Sequence, residues 1–184
     1  AATNVSLTPT LGSSSFVDLD GDTHGASQWQ VTTTAGNYTS TVFDSSTDNT
    51  HLTSVTVPAL SYSTTYYWHV RYQDKHGEWS SWSVETSFTT LGLAPVVTTG
   101  NAGSITTNSA RLSGELTSSG TAGSVTVSSI WGTTSGSYTN ETTGQAMTGT
   151  GAFSSDLSGL TPGTTYYYKA KAVGHGNAVY GLEK

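Results

Sequence analysis

Three carboxylates stand at alternate positions in a short polar segment near the start of the chain. Asp18, Asp20 and Asp22 flank Gly21 and are followed by His24. Carboxylate oxygens at this spacing can converge on a hard cation, and Ca²⁺ takes such oxygen ligands. The segment is not an EF-hand, because its glycine is misplaced and no Glu stands at the twelfth position. Two interpretations follow, a calcium site or an ordinary Asp-Gly turn with solvated carboxylates.

The other residues that could do chemistry do not form a catalytic motif. The sequence has no Gly-x-Ser-x-Gly elbow, no His-Glu-x-x-His pair, no phosphate-binding glycine loop and no Cys. Its five His residues are scattered, at positions 24, 51, 69, 76 and 175. No two of them have metal-ligand spacing. We therefore expect a protein that is not an enzyme.

The composition limits the fold and the partners. The 184 residues include 63 Ser and Thr, and helix-favouring residues are few, which indicates an all-β protein. Six Lys and Arg against 12 Asp and Glu give a net charge of −6, so no basic surface for nucleic acid is expected. No apolar stretch is long enough to span a membrane. Without Cys, disulfides and Cys-ligated zinc are excluded.

One sequence pattern occurs twice, one hundred positions apart. Residues 60–71 and 160–171 share a Leu, the run Thr-Thr-Tyr-Tyr and a basic residue in the same register. Between the two copies the sequence passes through small residues to Pro95. This repeat predicts two domains, residues 1–91 and 92–184, each of a size typical of a small β-sandwich.

Within each predicted domain the apolar residues recur with a period of two. Such alternation indicates strands with one buried face, as in residues 66–72, 110–116 and 166–172. Turn-forming pairs such as Pro162-Gly163 fall between these runs. The pattern predicts several short strands in each domain.

The repeated segment resembles the E–F corner and strand F of fibronectin type III domains. In that family the Leu and the first Tyr form a tyrosine corner, which implies this role for Leu60 with Tyr66 and for Leu160 with Tyr166. The second domain also resembles modules of bacterial surface proteins through Ile130-Trp131-Gly132. The resemblance implies two tandem immunoglobulin-like or fibronectin type III β-sandwiches.

The resemblance also extends the acidic site. In a sandwich of this family the loop between strands F and G projects from the same end as the loop between strands B and C. Asp74 and Glu78 would then approach the first carboxylates. The predicted calcium ligands are Asp18, Asp20, Asp22, Asp74 and Glu78.

The segment Trp79-Ser-Ser-Trp82-Ser83 is identical to the Trp-Ser-x-Trp-Ser motif of haematopoietic cytokine receptors. In those fibronectin type III proteins, Arg side chains of strand F stack between the two Trp rings. The resemblance implies a structural ladder of Arg71 with Trp79 and Trp82 through cation–π contacts. The alternative is a surface for ligand binding.

Aromatic side chains suggest one further partner class. The chain has five Trp and ten Tyr, and exposed rings of this kind are platforms for sugars. Alternation directs most of them inward and leaves Tyr38, Tyr62, Tyr67, Tyr138 and Tyr167 as surface candidates for carbohydrate.

The last strand of the second domain is expected to be incomplete. Only 18 residues follow Tyr166, against about 24 between Tyr66 and the end of the first domain. A short last strand would leave part of the neighbouring strand edge unpaired. Two explanations follow: the chain is a fragment of a longer protein, or a strand from a neighbouring subunit covers that edge.

These observations predict a non-catalytic structural spacer or adhesion module, part of a larger extracellular or cell-surface protein. Its expected partners are other domains of the same polypeptide or neighbouring surface proteins. The alternatives are a subunit of a filament joined by strand complementation, and a module that binds carbohydrate or protein.

Overall fold

The computed structural model describes residues 1–184, and β-strands are its only regular secondary structure. The chain divides into two compact units, Ala1–Leu91 and Gly92–Lys184. No helix of the length and hydropathy of a membrane span is present. Each unit is a β-sandwich, as the alternating pattern predicts.

The first unit contains seven strands in two sheets. Their bounds are β1 Ala2–Val5, β2 Thr10–Gly12, β3 His24–Thr32, β4 Phe43–Asp44, β5 Ser54–Thr56, β6 Thr65–Asp74 and β7 Thr86–Thr90. The larger sheet has the order β1-β7-β6-β3-β4, and β2 pairs with β5 in the smaller one. The segment before β2 therefore changes sheets, because β1 runs parallel to β7 with Ala2 opposite Phe88.

The core of the first unit lies between these sheets. Trp29 and Val31 of β3 and Tyr66 and Val70 of the neighbouring β6 are buried on one face of the larger sheet, and Val55 of β5 comes from the smaller sheet. The rings of Trp29 and Trp68 stack at 5.8 Å between centroids. Period-two alternation puts the polar residues of β6 on the opposite face, where the candidate site lies.

The second unit contains eight strands. Their bounds are β8 Val96–Thr99, β9 Ser109–Ser118, β10 Val125–Gly132, β11 Asn140–Glu141, β12 Gln145–Met147, β13 Gly151–Ser158, β14 Tyr167–Gly174 and β15 Asn177–Tyr180. One sheet has the order β13-β9-β8, and the other joins β11, β10, β14 and β15, with β12 also on β10. Here the first strand pairs only with β9, in the sheet opposite β14. The core contains Leu116, Val125, Val127 and Phe153.

The last strand of the second unit covers more of its neighbour than the sequence predicts. After β15 the pairing with β14 continues: Gly181 donates to the Ala170 carbonyl, and Lys184 exchanges two hydrogen bonds of 3.0 Å with Tyr168. The expected half-length strand is therefore corrected to one that reaches Tyr168. The cause is that the residues after Tyr180 stay extended along β14 and continue the backbone hydrogen bonds with it, although they lie outside β15.

Both corner motifs have the same hydrogen bond. The Ser61 N–H donates to the Tyr66 hydroxyl at 3.0 Å, and the Thr161 N–H donates to the Tyr166 hydroxyl at 2.9 Å. Leu60 packs against the core of the first unit. In both units the hydroxyl thus holds the chain as it crosses from one sheet to the other.

Candidate functional site: a stacked ladder on strand β6

Five side chains form one continuous stack on the outer face of the larger sheet in the first unit. In order they are Tyr38, His69, Trp82, Arg71 and Trp79. The ring centroids of Tyr38 and His69 lie 3.6 Å apart, and those of His69 and Trp82 lie 3.8 Å apart. The Arg71 guanidinium carbon lies 4.6 Å from the Trp82 ring and 4.5 Å from the Trp79 ring. We call this stack the ladder.

The two Trp-Ser pairs attach the ladder to β6 in the same way. The Ser80 N–H donates to the Tyr72 carbonyl, and the Ser83 N–H donates to the Val70 carbonyl, both at 2.8 Å. Each serine hydroxyl in turn accepts from the N–H of the same partner, at 3.0 Å and 3.1 Å. Both Trp side chains therefore lie on the same face of the sheet, because each Trp-Ser pair attaches to β6 through the same hydrogen bonds.

A polar row lies beside the ladder and balances its charge. Arg71 donates from Nε and Nη2 to Gln28 Oε1 at 3.0 and 2.7 Å. Gln28 and Gln30 both donate to the Asp44 carboxylate, at 2.9 and 2.7 Å. Burial acts to raise the pKa of Asp44, but these hydrogen bonds and the Arg71 charge hold it below its usual value.

His69 is the buried member of the ladder. It is only 9% exposed because Tyr38 and Trp82 cover its two faces, although alternation places it on the outer side of the sheet. Burial lowers the pKa of His69 below its ordinary value. Its Nε2 lies 2.9 Å from Gln30 Oε1, which joins the ring to the polar row.

A glutamate clamp occurs in both units and lies next to the ladder in the first. The sequence patterns described above do not predict it. Glu85 accepts from the Gly36 N–H and from the Tyr38 hydroxyl, both at 2.8 Å. Glu183 accepts from the Gly136 N–H at 2.8 Å and from the Tyr138 hydroxyl. The sequence feature that marks this clamp is a second repeat, Gly-x-Tyr-Thr, at residues 36–39 and 136–139. Both glycines have positive φ, 69° and 76°, which L side chains rarely adopt.

The clamp in the second unit is expected to respond to acid. Hydrogen bonds from Ser135, Tyr138 and the Gly136 N–H hold the pKa of Glu183 at about 2, below the ordinary 4.5. A carboxyl with a lowered pKa in the folded state stabilises that state above its unfolded pKa, and the contribution is lost as the pH falls towards the folded value. Tyr138 resonances of the folded protein, followed by NMR, should therefore shift with a midpoint at about pH 2.

The Glu183→Gln variant should lose this acid response, since Gln does not titrate. Glu115→Gln changes an exposed glutamate on β9 of the same unit and is the matched control. The same Tyr138 shift in Glu183→Gln and in the unaltered protein would contradict the assignment.

The second unit has a reduced version of the ladder. Lys169 lies over the Tyr138 ring, with Nζ 5.3 Å from the centroid, in the position that His69 has over Tyr38. Lys171 replaces Arg71 and pairs with Glu141 at 2.8 Å instead of stacking on Trp. The tryptophan ladder is thus a property of the first unit alone.

The five predicted calcium ligands lie in two turns, and Asp18, Asp74 and Glu78 line one surface pocket. Asp18 accepts from the N–H groups of Asp20 and Asp22, and Asp22 pairs with Lys75 at 2.8 Å. Asp74 accepts from the N–H groups of His76 and Glu78, which lower its pKa. No group of three or more acidic, His or Cys side chains is placed to hold a metal. Each turn is closed by its own backbone N–H groups, and Lys75 joins the two turns. Calcium binding at these residues stays a prediction.

Two of the five tyrosines considered for carbohydrate, Tyr38 and Tyr138, are used within the units. Tyr38 stacks on His69, and the Tyr138 ring lies beneath Lys169. Trp79 and Trp82 each have a face covered by Arg71. Tyr62 is 39% exposed and lies outside the ladder.

Comparison with solved structures identifies the architecture. Over 98% of its length the chain superposes on a two-domain fibronectin type III segment of chicken tenascin, covering 94% of that structure, with a TM-score of 0.52 and 18% identity. The fold is that of tandem fibronectin type III domains. Residues 14–94, which include most of the first unit, match the sequence model of the family "Rha78A-like, N-terminal immunoglobulin domain". No curated protein matches the sequence.

Two enzyme structures are similar at a lower level. The α-L-rhamnosidases of Streptomyces avermitilis, complexed with L-rhamnose, and of Dictyoglumus thermophilum align with 100% and 98% of the chain, at 15% and 11% identity. Their TM-scores are 0.40 and 0.44. The fibronectin type III pair spans only 23% and 27% of their lengths.

Proposed function

We propose that this fibronectin type III pair is a non-catalytic accessory module of a larger secreted or cell-surface protein, in which it spaces or supports other domains. The observation that carries the proposal is the ladder itself. The Arg71 guanidinium is covered by Trp rings on both faces, and its Nε and Nη2 donate hydrogen bonds to Gln28. The side chains best suited to meet a ligand are therefore used to stabilise the sheet.

The match of residues 14–94 supports this role and suggests its context. That family consists of N-terminal immunoglobulin domains of Rha78A-like proteins. We infer that the chain stands beside a catalytic domain acting on rhamnose-containing glycosides. The expected partners are then the other domains of the same polypeptide.

The test asks whether the chain binds a sugar or catalyses hydrolysis, as a ligand-binding or catalytic module would. The 184-residue chain should be a 19.1 kDa monomer by light scattering. It should not hydrolyse an aryl α-L-rhamnoside, and L-rhamnose should not shift the indole resonances of Trp79 and Trp82. Turnover above a buffer control, or saturable shifts of these indoles, would overturn the accessory role.

A further inference from the structure

The first unit contains neither of the side chains that oxidants usually modify, Cys and Met. The chain has no Cys, and its single Met, Met147, lies in the second unit. A one-electron oxidant that meets the first unit is therefore left with indoles and phenols. Trp79 and Trp82 of the ladder are partly exposed, so such an oxidant can reach them.

The rings of the ladder are in face-to-face contact from Trp82 to Tyr38. The His69 ring lies between them, 3.8 Å from the Trp82 centroid and 3.6 Å from the Tyr38 centroid, with interplanar angles of 12° and 13°. Stacked π systems at these distances overlap, so an electron can pass between them without crossing solvent. Arg71 separates Trp82 from Trp79, at 4.6 and 4.5 Å from the two rings. The stack therefore connects two indoles with one phenol.

The charges beside the ladder differ at its two ends. The Arg71 guanidinium lies over both Trp rings, so it repels the positive charge that oxidation leaves on an indole. At the other end the Tyr38 hydroxyl donates to the Glu85 carboxylate at 2.8 Å, which is within reach for proton transfer. Tyr38 can therefore lose an electron and a proton together and become a neutral radical. This arrangement favours oxidation of Tyr38 over oxidation of the indoles.

His69 and Tyr38 are both uncharged before any oxidation. Burial lowers the pKa of His69, so the bridging ring carries no charge at neutral pH. Burial, together with the hydrogen bond and charge of Glu85, raises the pKa of Tyr38 above its ordinary value. The phenol therefore keeps its proton until an electron leaves the ring.

We propose that the ladder passes an oxidising equivalent from Trp79 and Trp82 to Tyr38 when the protein meets a small one-electron oxidant, and so protects the indoles. The oxidant takes one electron from an indole and leaves an indole radical cation. An electron from Tyr38 then restores the indole through His69, and the phenol proton passes to the Glu85 carboxylate. The products are a neutral tyrosyl radical, a protonated Glu85 and the oxidant reduced by one electron. This activity does not depend on the accessory role proposed above.

The test oxidises the 184-residue chain with azide radicals in pulse radiolysis and follows the absorbances of the indole and tyrosyl radicals. We expect the indole radical to decay as the tyrosyl radical appears, at a rate independent of protein concentration, because the transfer occurs within one chain. Tyr38→Phe keeps a stacked ring but has no phenol, and should remove this phase. Glu85→Gln keeps a hydrogen-bond acceptor but does not take the proton, and should slow the phase about tenfold or more.

The second unit supplies the matched controls. Tyr138 donates to Glu183 as Tyr38 donates to Glu85, but Lys169 instead of an aromatic ring lies over the Tyr138 ring. Tyr138→Phe and Glu183→Gln should therefore leave the phase unchanged. Thermal melting checks that all the variants fold. Absence of a concentration-independent phase in the unaltered chain would overturn the proposal, as would equal phases in the two Tyr→Phe variants.

A second readout measures the protection itself. During continuous exposure to azide radicals, mass spectrometry follows oxidation of Trp79 and Trp82. Both indoles should be oxidised faster in Tyr38→Phe than in Tyr138→Phe, because the electron that repairs them is missing. Equal rates in the two variants would show that the ladder does not protect its indoles, and the proposal would be wrong.

Discussion

Replacing Arg71 with Ala should lower the free energy of unfolding of the first unit by about 2–5 kcal/mol. Two cation–π contacts contribute about 0.5–2 kcal/mol each. The change also removes the two hydrogen bonds to the one Gln28 oxygen, together worth about 1 kcal/mol net. Beyond these losses, the stack would be interrupted between Trp79 and Trp82.

Calorimetry of the intact chain measures this effect, because it reports the unfolding of both units and Arg71 and its control lie in different units. The matched control is Lys171→Ala, which removes the counterpart of Arg71. Lys171 has a partly exposed ion pair with Glu141, so its loss should cost less than about 1 kcal/mol. Equal losses in the two variants would contradict a special role for the ladder.

Replacing Phe88 with Ala should destabilise the first unit by about 3–5 kcal/mol, the range typical of a Phe removed from a core. The ring is buried and stacks on Tyr66, whose hydroxyl holds the corner through the Ser61 N–H. The variant would leave a cavity beside Tyr66 in the first unit. Calorimetry of the intact chain should show the first unit melting earlier.

The control for Phe88→Ala is Val84→Ala. Val84 precedes the same strand but is 90% exposed, so its truncation should change stability by less than about 0.5 kcal/mol. A Phe88→Ala loss below about 1 kcal/mol would show that the neighbouring side chains collapse into the space, and the expected cavity would not form.

The parts of the structure that follow from local spacing could be predicted from the sequence. Alternation along residues 66–72 separates the core face from the ladder face, and three-residue spacing returns Trp82 to the side of Trp79. The fibronectin type III resemblance supplies the pairing of these Trp rings with Arg71. The tyrosine corners follow in the same way, because each hydroxyl bonds a backbone group five residues earlier.

The parts that depend on long-range placement could not be predicted. Spacing alone cannot show that Lys75 reaches Asp22, or that each acidic turn uses its own backbone N–H groups. Nor could local patterns show that β1 lies in the sheet of β7 whereas β8 lies opposite β14. The glutamate clamp joins residues 47 positions apart, so only comparison of the two repeats could reveal it.

The parallel pairing of β1 with β7 has a mechanical consequence for the first unit. A pull on the start of β1 and the end of β7 acts in opposite directions along two neighbouring parallel strands. Their hydrogen bonds are then loaded together in shear, rather than opened one at a time as in an unzipping hairpin. The first unit should therefore extend abruptly and at high force when it is stretched between Ala2 and Thr90.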